Sequence, residues 1–436
     1  MQIEEESRVL VLHCVFSEDT GLKFAGNLEP KYQPSEWMSQ LAAQQPELRA
    51  LLELSEEART AAGFRCTLDE ICQQPSTWRQ TAAIVALMQR RLQSFLEGCR
   101  SFVLTGSGSS QYAGECVHPA LQAATGISAC TLGGGWLLSE GQRALPAERP
   151  LTVISLARSG DSPESGGVVE WLLETEPQVR HLVVTCNAQG HLATRFCGDP
   201  RVLVVTLDDR TNDRSLAMTS SFTNMVVASL GLGYLADLSA YSNIAENLAG
   251  AAEQLLLRHT GAVAEMARTP FRRAVFLASG CRYGAAREAG LKLLEMNAGR
   301  IPTMAETYLG FRHGPMCFLN RETLLVCFLS SDAYVRAYEE DVITELNRKQ
   351  LGARKLIVGA GITPSLLAAG DVAIEIPAMA ELGDNNVPVL DVMIGQLLAF
   401  FRCRVEQLRP DMPSDGAISR VVNTFTIHRR KEQGNK

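Results

Sequence analysis

A surplus of basic residues, paired cysteines and long apolar runs are all missing from this 436-residue chain, and each absence removes a class of function. Lysine and arginine total 41 against 48 aspartates and glutamates, a net charge of −7 that argues against nucleic acid or an anionic membrane as a bulk partner. A small phosphorylated ligand remains allowed, because it needs only a few local donors. The twelve cysteines stand singly, with no CxxC pair and no cluster with histidine at metal-ligand spacing. They fit buried thiols in a reducing compartment, and neither a disulfide framework nor a metal is expected. The apolar run at 9–16 is far too short to span a bilayer, and the opening MQIEEESR is acidic where a signal peptide is basic. A soluble, cytoplasmic protein is the expectation. No GxxxxGK[ST] motif supports ATP. The glycine stretch GSGSS at 106–110 is not GxGxxG and has no acidic residue at dinucleotide spacing, so no nicotinamide cofactor is expected.

What the chain does have is a domain-sized internal repeat. FVL at 102–104, TVIS at 152–155, HLVVT at 181–185 and VLVVT at 202–206 correspond in order to VFL at 275–277, LLVC at 324–327, KLIVG at 355–359 and VAIEI at 372–376. The offset is about 170 residues, too long for a solenoid. Amphipathic stretches such as 165–175 and 333–350 lie between these runs. Strand–helix alternation with strands apolar on both faces predicts an α/β fold, two doubly wound parallel sheets in tandem. The predicted organisation is a mainly helical N-terminal segment at 1–100, a first domain at 101–240, a helical connector at 241–271, a second domain at 272–405 and a tail at 406–436.

In such sheets ligands bind beyond the carboxyl ends of the strands. After the first strand comes TGSGSSQYAGE (105–115), which puts Ser109 and Ser110 at a helix N-terminus, a ready anion site. After the second comes ARSGDSPES (157–165), with Arg158, Ser159 and Ser162 arranged similarly. Turn and cap requirements serve either loop equally well alone; two of them converging on one crevice favour phosphate. A third segment, NDRSLAMTSSFTNM (212–225), sets Thr219, Ser220 and Ser221 inside a predicted helix, where hydroxyls are poor choices unless used. The second half reads ASGCRYG and SSDAYVR at the matching loops, keeping the fold but not the hydroxyls.

That half instead carries AAREAGLKLLEMNAGRIPTMAETYLGFRHGP at 285–315. The i, i+4, i+7 spacing places Glu288, Lys292 and Glu295 on one helix face, with Leu291, Leu294 and Ala298 on a core-facing stripe and His313 just beyond. Two carboxylates, an ammonium and an imidazole can move protons both ways near neutrality. An ordinary surface pair, worth about 0.3 kcal/mol, would show the same Glu288–Lys292 spacing.

EICQQPSTW (70–78), SGDSPES (159–165), SLAMTSSFT (215–223), GFRHGP (310–315) and SRVVNTFTIH (419–428) together resemble the double sugar-isomerase-domain family. The resemblance is closest to its galactosamine-6-phosphate deaminase/isomerase branch and covers about 67–428. It implies phosphate contacts at Ser110, Ser159 and Ser162, a catalytic helix with Glu288, Lys292 and Glu295, and ring opening by His313 donated across a homodimer. It implies a hexosamine 6-phosphate substrate, no cofactor and no nucleic-acid or membrane partner. Two departures stand out: Ala157 and Arg158 replace the family synthase's serine and glutamine, and Asn423 stands where its C-terminal lysine falls. The synthase's glutaminase domain has no counterpart, which favours ammonia release over glutamine-dependent synthesis. Glu295 is then the candidate for the carbon-bound proton, with Glu306 as the alternative base. A non-deaminating aldose–ketose isomerase and a non-catalytic sugar-phosphate sensor are the competing functions.

Overall fold

The computed structural model describes residues 34–352, 354–414, 416–422 and 425–428. The opening MQIEEESR, the apolar run at 9–16, His13, Cys14 and Asn423 lie outside the described residues.

Five parallel strands form the first sheet: β1 (Ser101–Gly106), β2 (Ser128–Gly133), β3 (Leu151–Ala157), β4 (Val179–Thr185) and β5 (Val202–Thr206). Their order is β2-β1-β3-β4-β5. The second sheet contains β6 (Arg273–Ala278), β7 (Thr303–Thr307), β8 (Thr323–Phe328), β9 (Arg354–Gly359) and β10 (Val372–Glu375), in the order β7-β6-β8-β9-β10. Both sheets are therefore doubly wound with the same strand order, and in each the chain reverses direction between its first and third strands. The runs read from sequence supply β1, β3, β4 and β5 of the first sheet and β6, β8, β9 and β10 of the second. The edge strands β2 and β7 escaped that reading because SACTLG and TMAET carry no continuous apolar run.

The helices that position the site are α1 (Arg65–Cys72), α2 (Gln74–Leu87), α3 (Ser109–Thr125), α4 (Pro163–Thr175), α5 (Ser220–Leu230), α6 (Leu238–Arg268), α7 (Arg282–Met296), α8 (Ala333–Lys349) and α9 (Pro388–Val405). The connecting helix α6 starts earlier than the pattern suggested, because the Asp237 side chain accepts from Ala240 N and caps it. No helix among the described residues is long and apolar enough to cross a membrane.

Two sequence expectations change here. The core stripe of α7 is not Leu291, Leu294 and Ala298, since the leucines are half-buried and Ala298 is exposed beyond the helix end. Ala285, Ala289, Leu293 and Met296 are buried instead, and so are Glu288 and Lys292. The reason is that α7 is packed between α3 and α9, which leaves Arg287 and Glu295 partly exposed but not Glu288 and Lys292. Nor do Thr219, Ser220 and Ser221 sit in a helix interior: α5 begins at Ser220, and Thr219 precedes it.

Candidate active site

Beyond β1 the chain turns at Gly108, whose φ of 57° suits glycine, and enters α3 with Ser109 and Ser110 in its first turn. Beyond the adjacent β3 it turns through Arg158, Ser159 and Gly160 into α4, where Ser162 is the cap and accepts from Ser165 N at 3.4 Å. The two helix N-termini thus lie at the point where the strand order reverses, the standard ligand position of such sheets. Ser159 and Ser162 are half-buried, and Ser159 Oγ accepts from Asp161 N at 3.2 Å. Ser109 and Ser110 are almost fully enclosed.

The second half meets this crevice through α7. A Cβ at Gly284 would fall 2.7 Å from Cys116 N, so only glycine lets α7 lie flush against α3. That close packing places Lys292 Nζ 3.1 Å from Ser109 Oγ, 3.2 Å from Glu288 Oε1 and 2.5 Å from Glu295 Oε2. The surface-pair reading does not hold, because Glu288 and Lys292 are completely buried. Burial pushes the Glu288 carboxyl up to about 7, against the opposing pull of Lys292. Burial by itself would lower the Lys292 ammonium, but Glu288 and Glu295 outweigh it and its pKa is raised. Of the two carboxylates, Glu295 keeps partial access to the crevice, its side chain 22% exposed. A fixed ammonium, a solvent-reachable carboxylate and a hydroxyl from the loop after β1 are therefore within one hydrogen-bonding cluster.

Other predicted residues lie elsewhere. His313 is exposed in the loop after β7, its backbone N bonded to Gly310 O at 3.0 Å. Among the described residues its ring makes no hydrogen bond to Glu288, Lys292 or Glu295. Glu306 ends β7 with Oε1 accepting from Thr307 N at 2.7 Å, also outside the Lys292 cluster. Arg158 donates to Leu216 O at 2.9 Å, Ser215 O at 3.4 Å and the carbonyl of Arg420. Burial lowers its pKa. Thr219 and Ser220 are likewise drawn inward. They are fully buried around Asp213, which accepts from Thr219 N at 2.7 Å and Ser220 Oγ at 2.5 Å.

The sequence reading missed the hub this creates. Asp213 also accepts from Ser221 N at 2.9 Å and Ser221 Oγ at 2.5 Å. Glu70 on α1 holds the neighbouring turn, accepting from Arg214 N at 2.5 Å and Ser215 N at 3.1 Å. Gln73, Gln74, Thr77 and Trp78 bond to Ser220, Thr223 and Asn224 of α5. From the tail, Arg420 Nε donates to Asp213 O at 2.6 Å, and Ile427 lies where a Cβ at Gly167 of α4 would meet it at 3.1 Å. The sequence motifs at 70–78 and 215–223, with Arg420 and Ile427 of 419–428, thus form one interlocking scaffold behind the serine loops.

The fold and these loops define a tandem sugar-isomerase-domain protein, a phosphosugar-binding α/β class. No family model matches the chain. It is 36% identical over 374 residues to a Streptomyces coelicolor protein named provisionally as a D-galactosamine-6-phosphate deaminase AgaS, covering 83% of this chain and 95% of that one. It is 32% identical over 378 residues to the D-galactosamine-6-phosphate deaminase AgaS of Escherichia coli O157:H7, covering 84% and 97%. A Clostridium novyi structure provisionally described as a tagatose-6-phosphate ketose/aldose isomerase superposes with a TM-score of 0.81 at 30% identity, over 87% of this chain and 99% of that chain. The chain belongs to the AgaS family.

Proposed function

We propose that this protein converts D-galactosamine 6-phosphate and water to D-tagatose 6-phosphate and ammonia, as a cytoplasmic homodimer of amino-sugar catabolism that needs no cofactor and has no nucleic-acid or membrane partner. The observation that carries the reading is the Lys292 cluster, where Lys292 of α7 bonds both Glu295 and Ser109 of a phosphate-type loop.

Ser110, Ser159 and Ser162, with the N-termini of α3 and α4, hold the phosphate of the substrate. The partner subunit's His313 relays a proton between the anomeric hydroxyl and the ring oxygen, opening the ring to the aldehyde. The exposure of His313 on its own chain supports this shared-site arrangement. Glu295 takes the proton from carbon 2 and returns it to carbon 1 while a proton passes from the amine to the carbonyl oxygen, which moves the double bond through an enolamine to an imine at carbon 2. Water adds to that imine and ammonia leaves, giving the ketose. Lys292 fixes Glu295 and Glu288 in place, and no Schiff base to the enzyme is needed. Glu295 is preferred over Glu306 because it shares the Lys292 cluster with the loop serine.

A panel of hexosamine 6-phosphates, with ammonia and ketose phosphate both measured, tests the reading. Equimolar ammonia and tagatose 6-phosphate from the galacto substrate is the expected result. Ketose phosphate from a hexose 6-phosphate without ammonia would replace it with simple isomerisation, and ligand binding without turnover would replace it with a sensor.

A further inference from the structure

The two sheets can be matched residue by residue from their registers. Ser101 pairs with Leu151 in the first, and Arg273 with Thr323 in the second. Counting along the strands, Gly108, Ser110 and Ser159 correspond to Gly280, Arg282 and Ser331. The turns agree in detail, with φ of 57° at Gly108 and 58° at Gly280. The switch point of the second sheet is therefore built like the crevice of the first, yet it is already occupied. Asp384, from the loop before α9, reaches into it and accepts from Ser331 N at 2.9 Å, Ser331 Oγ at 3.1 Å and the Ser330 hydroxyl. Arg282 Nη1 lies 3.5 Å from the same carboxylate.

One carboxylate is thus met by a backbone N–H, two hydroxyls and a guanidinium, the donor set that recognises a phosphate. We propose that the second sheet retains an anion site for phosphate or sulfate and that the chain's own Asp384 fills it. The proposal rests on the functional reading above only in its choice of phosphate; the cradle itself is a matter of contacts within this chain. It makes the chain a one-site protein despite its two similar sheets.

Asp384 is partly open to solvent, its side chain 24% exposed, so removing its carboxylate leaves the donors facing an opening. Two other acids limit how tightly an ion would bind there. Asp391 grips Arg282 through two contacts of 2.7 Å, and Glu339 accepts from Ser330 N at 2.7 Å. Burial pushes Glu339 up to about 7, so it can take a proton when a second anion arrives. Weak, millimolar binding of inorganic phosphate is the expectation.

The test compares thermal melting of wild type and Asp384→Ala in inorganic phosphate and in chloride at equal ionic strength. Asp384→Ala should melt several degrees lower in chloride and recover most of that loss, saturably, in phosphate. Wild type should respond only through the first crevice, so Ser159→Ala should abolish its phosphate shift but leave that of Asp384→Ala largely intact. A folded Asp384→Ala that responds to phosphate no more than wild type overturns the proposal. Should Asp384→Ala not fold in chloride, folding restored by phosphate supports the proposal, and Asp384→Ser repeats the comparison. Failure of both variants to fold in either anion also overturns it. If wild type shows no phosphate shift sensitive to Ser159→Ala, the functional reading fails and the second-site proposal stands on its own result.

Discussion

Lys292 is the residue on which the crevice turns, because an ammonium buried with two carboxylates and a hydroxyl is held in one place. Its spacing from Glu288 and Glu295 was legible in the sequence; its burial was not. Helical periodicity reveals a polar face only where that face meets solvent, and α7 is packed on both sides. A second buried titratable group has the opposite character. His181, within β4, is fully buried and among the described residues neither ring nitrogen has a hydrogen-bond partner. Burial pushes its pKa down from 6.5 to about 3, so the fold holds it neutral. Below about pH 6.5 the unfolded chain binds a proton that the folded chain refuses, so stability falls by about 1.4 kcal/mol per pH unit on acidification until about pH 3. His181→Leu should flatten that part of the acid-unfolding curve, measured by urea titration at several pH values. An unchanged slope would mean another group sets the acid limit.

At the scale of elements, the buried strands were legible because parallel strands enclosed on both faces read as β-branched runs. Edge strands β2 and β7 were not, since SACTLG and TMAET carry Thr, Gly and Glu in place of the apolar run that the half-exposed edge strands β5 and β10 keep. The motifs at 70–78 and 215–223 were visible as unusual polar stretches, but their partnership was not. Hydrogen bonds such as Trp78 Nε1 to Thr223 Oγ1 at 2.9 Å join distant segments and leave no periodic trace in either. This pairing also engages the Thr219 backbone, the Ser220 hydroxyl and Arg158 in the scaffold. Glu70 is the most exacting piece, since its carboxylate satisfies two backbone N–H groups of the turn that Arg158 clasps. Glu70→Ala should therefore lower unfolding free energy by about 1–3 kcal/mol, read from the urea midpoint. A loss below about 0.5 kcal/mol, the size of an ordinary surface change, would show that the turn does not depend on it.

At the scale of the whole molecule, the two halves divide the labour. The first supplies helix N-termini and hydroxyls, the second supplies the charged helix, and Gly284 allows the contact between them. The proposed dimer adds His313 from outside. Glu295→Gln and His313→Asn variants, each nearly inactive alone, should then recover about one quarter of wild-type activity when unfolded together and refolded in equal amounts, because half the dimers are mixed and each mixed dimer has one intact site. No recovery, with mixed dimers demonstrated by mass, would place His313 in its own chain's site or outside catalysis.

The measurement that bears most directly on the account is ammonia release from D-galactosamine 6-phosphate by wild type and by Glu295→Gln of matched thermal stability. Removing a general base should lower kcat by about 10²–10⁴-fold while KM changes little. Near-full turnover by Glu295→Gln would contradict the account and move the base elsewhere, with Glu306 the first residue to test.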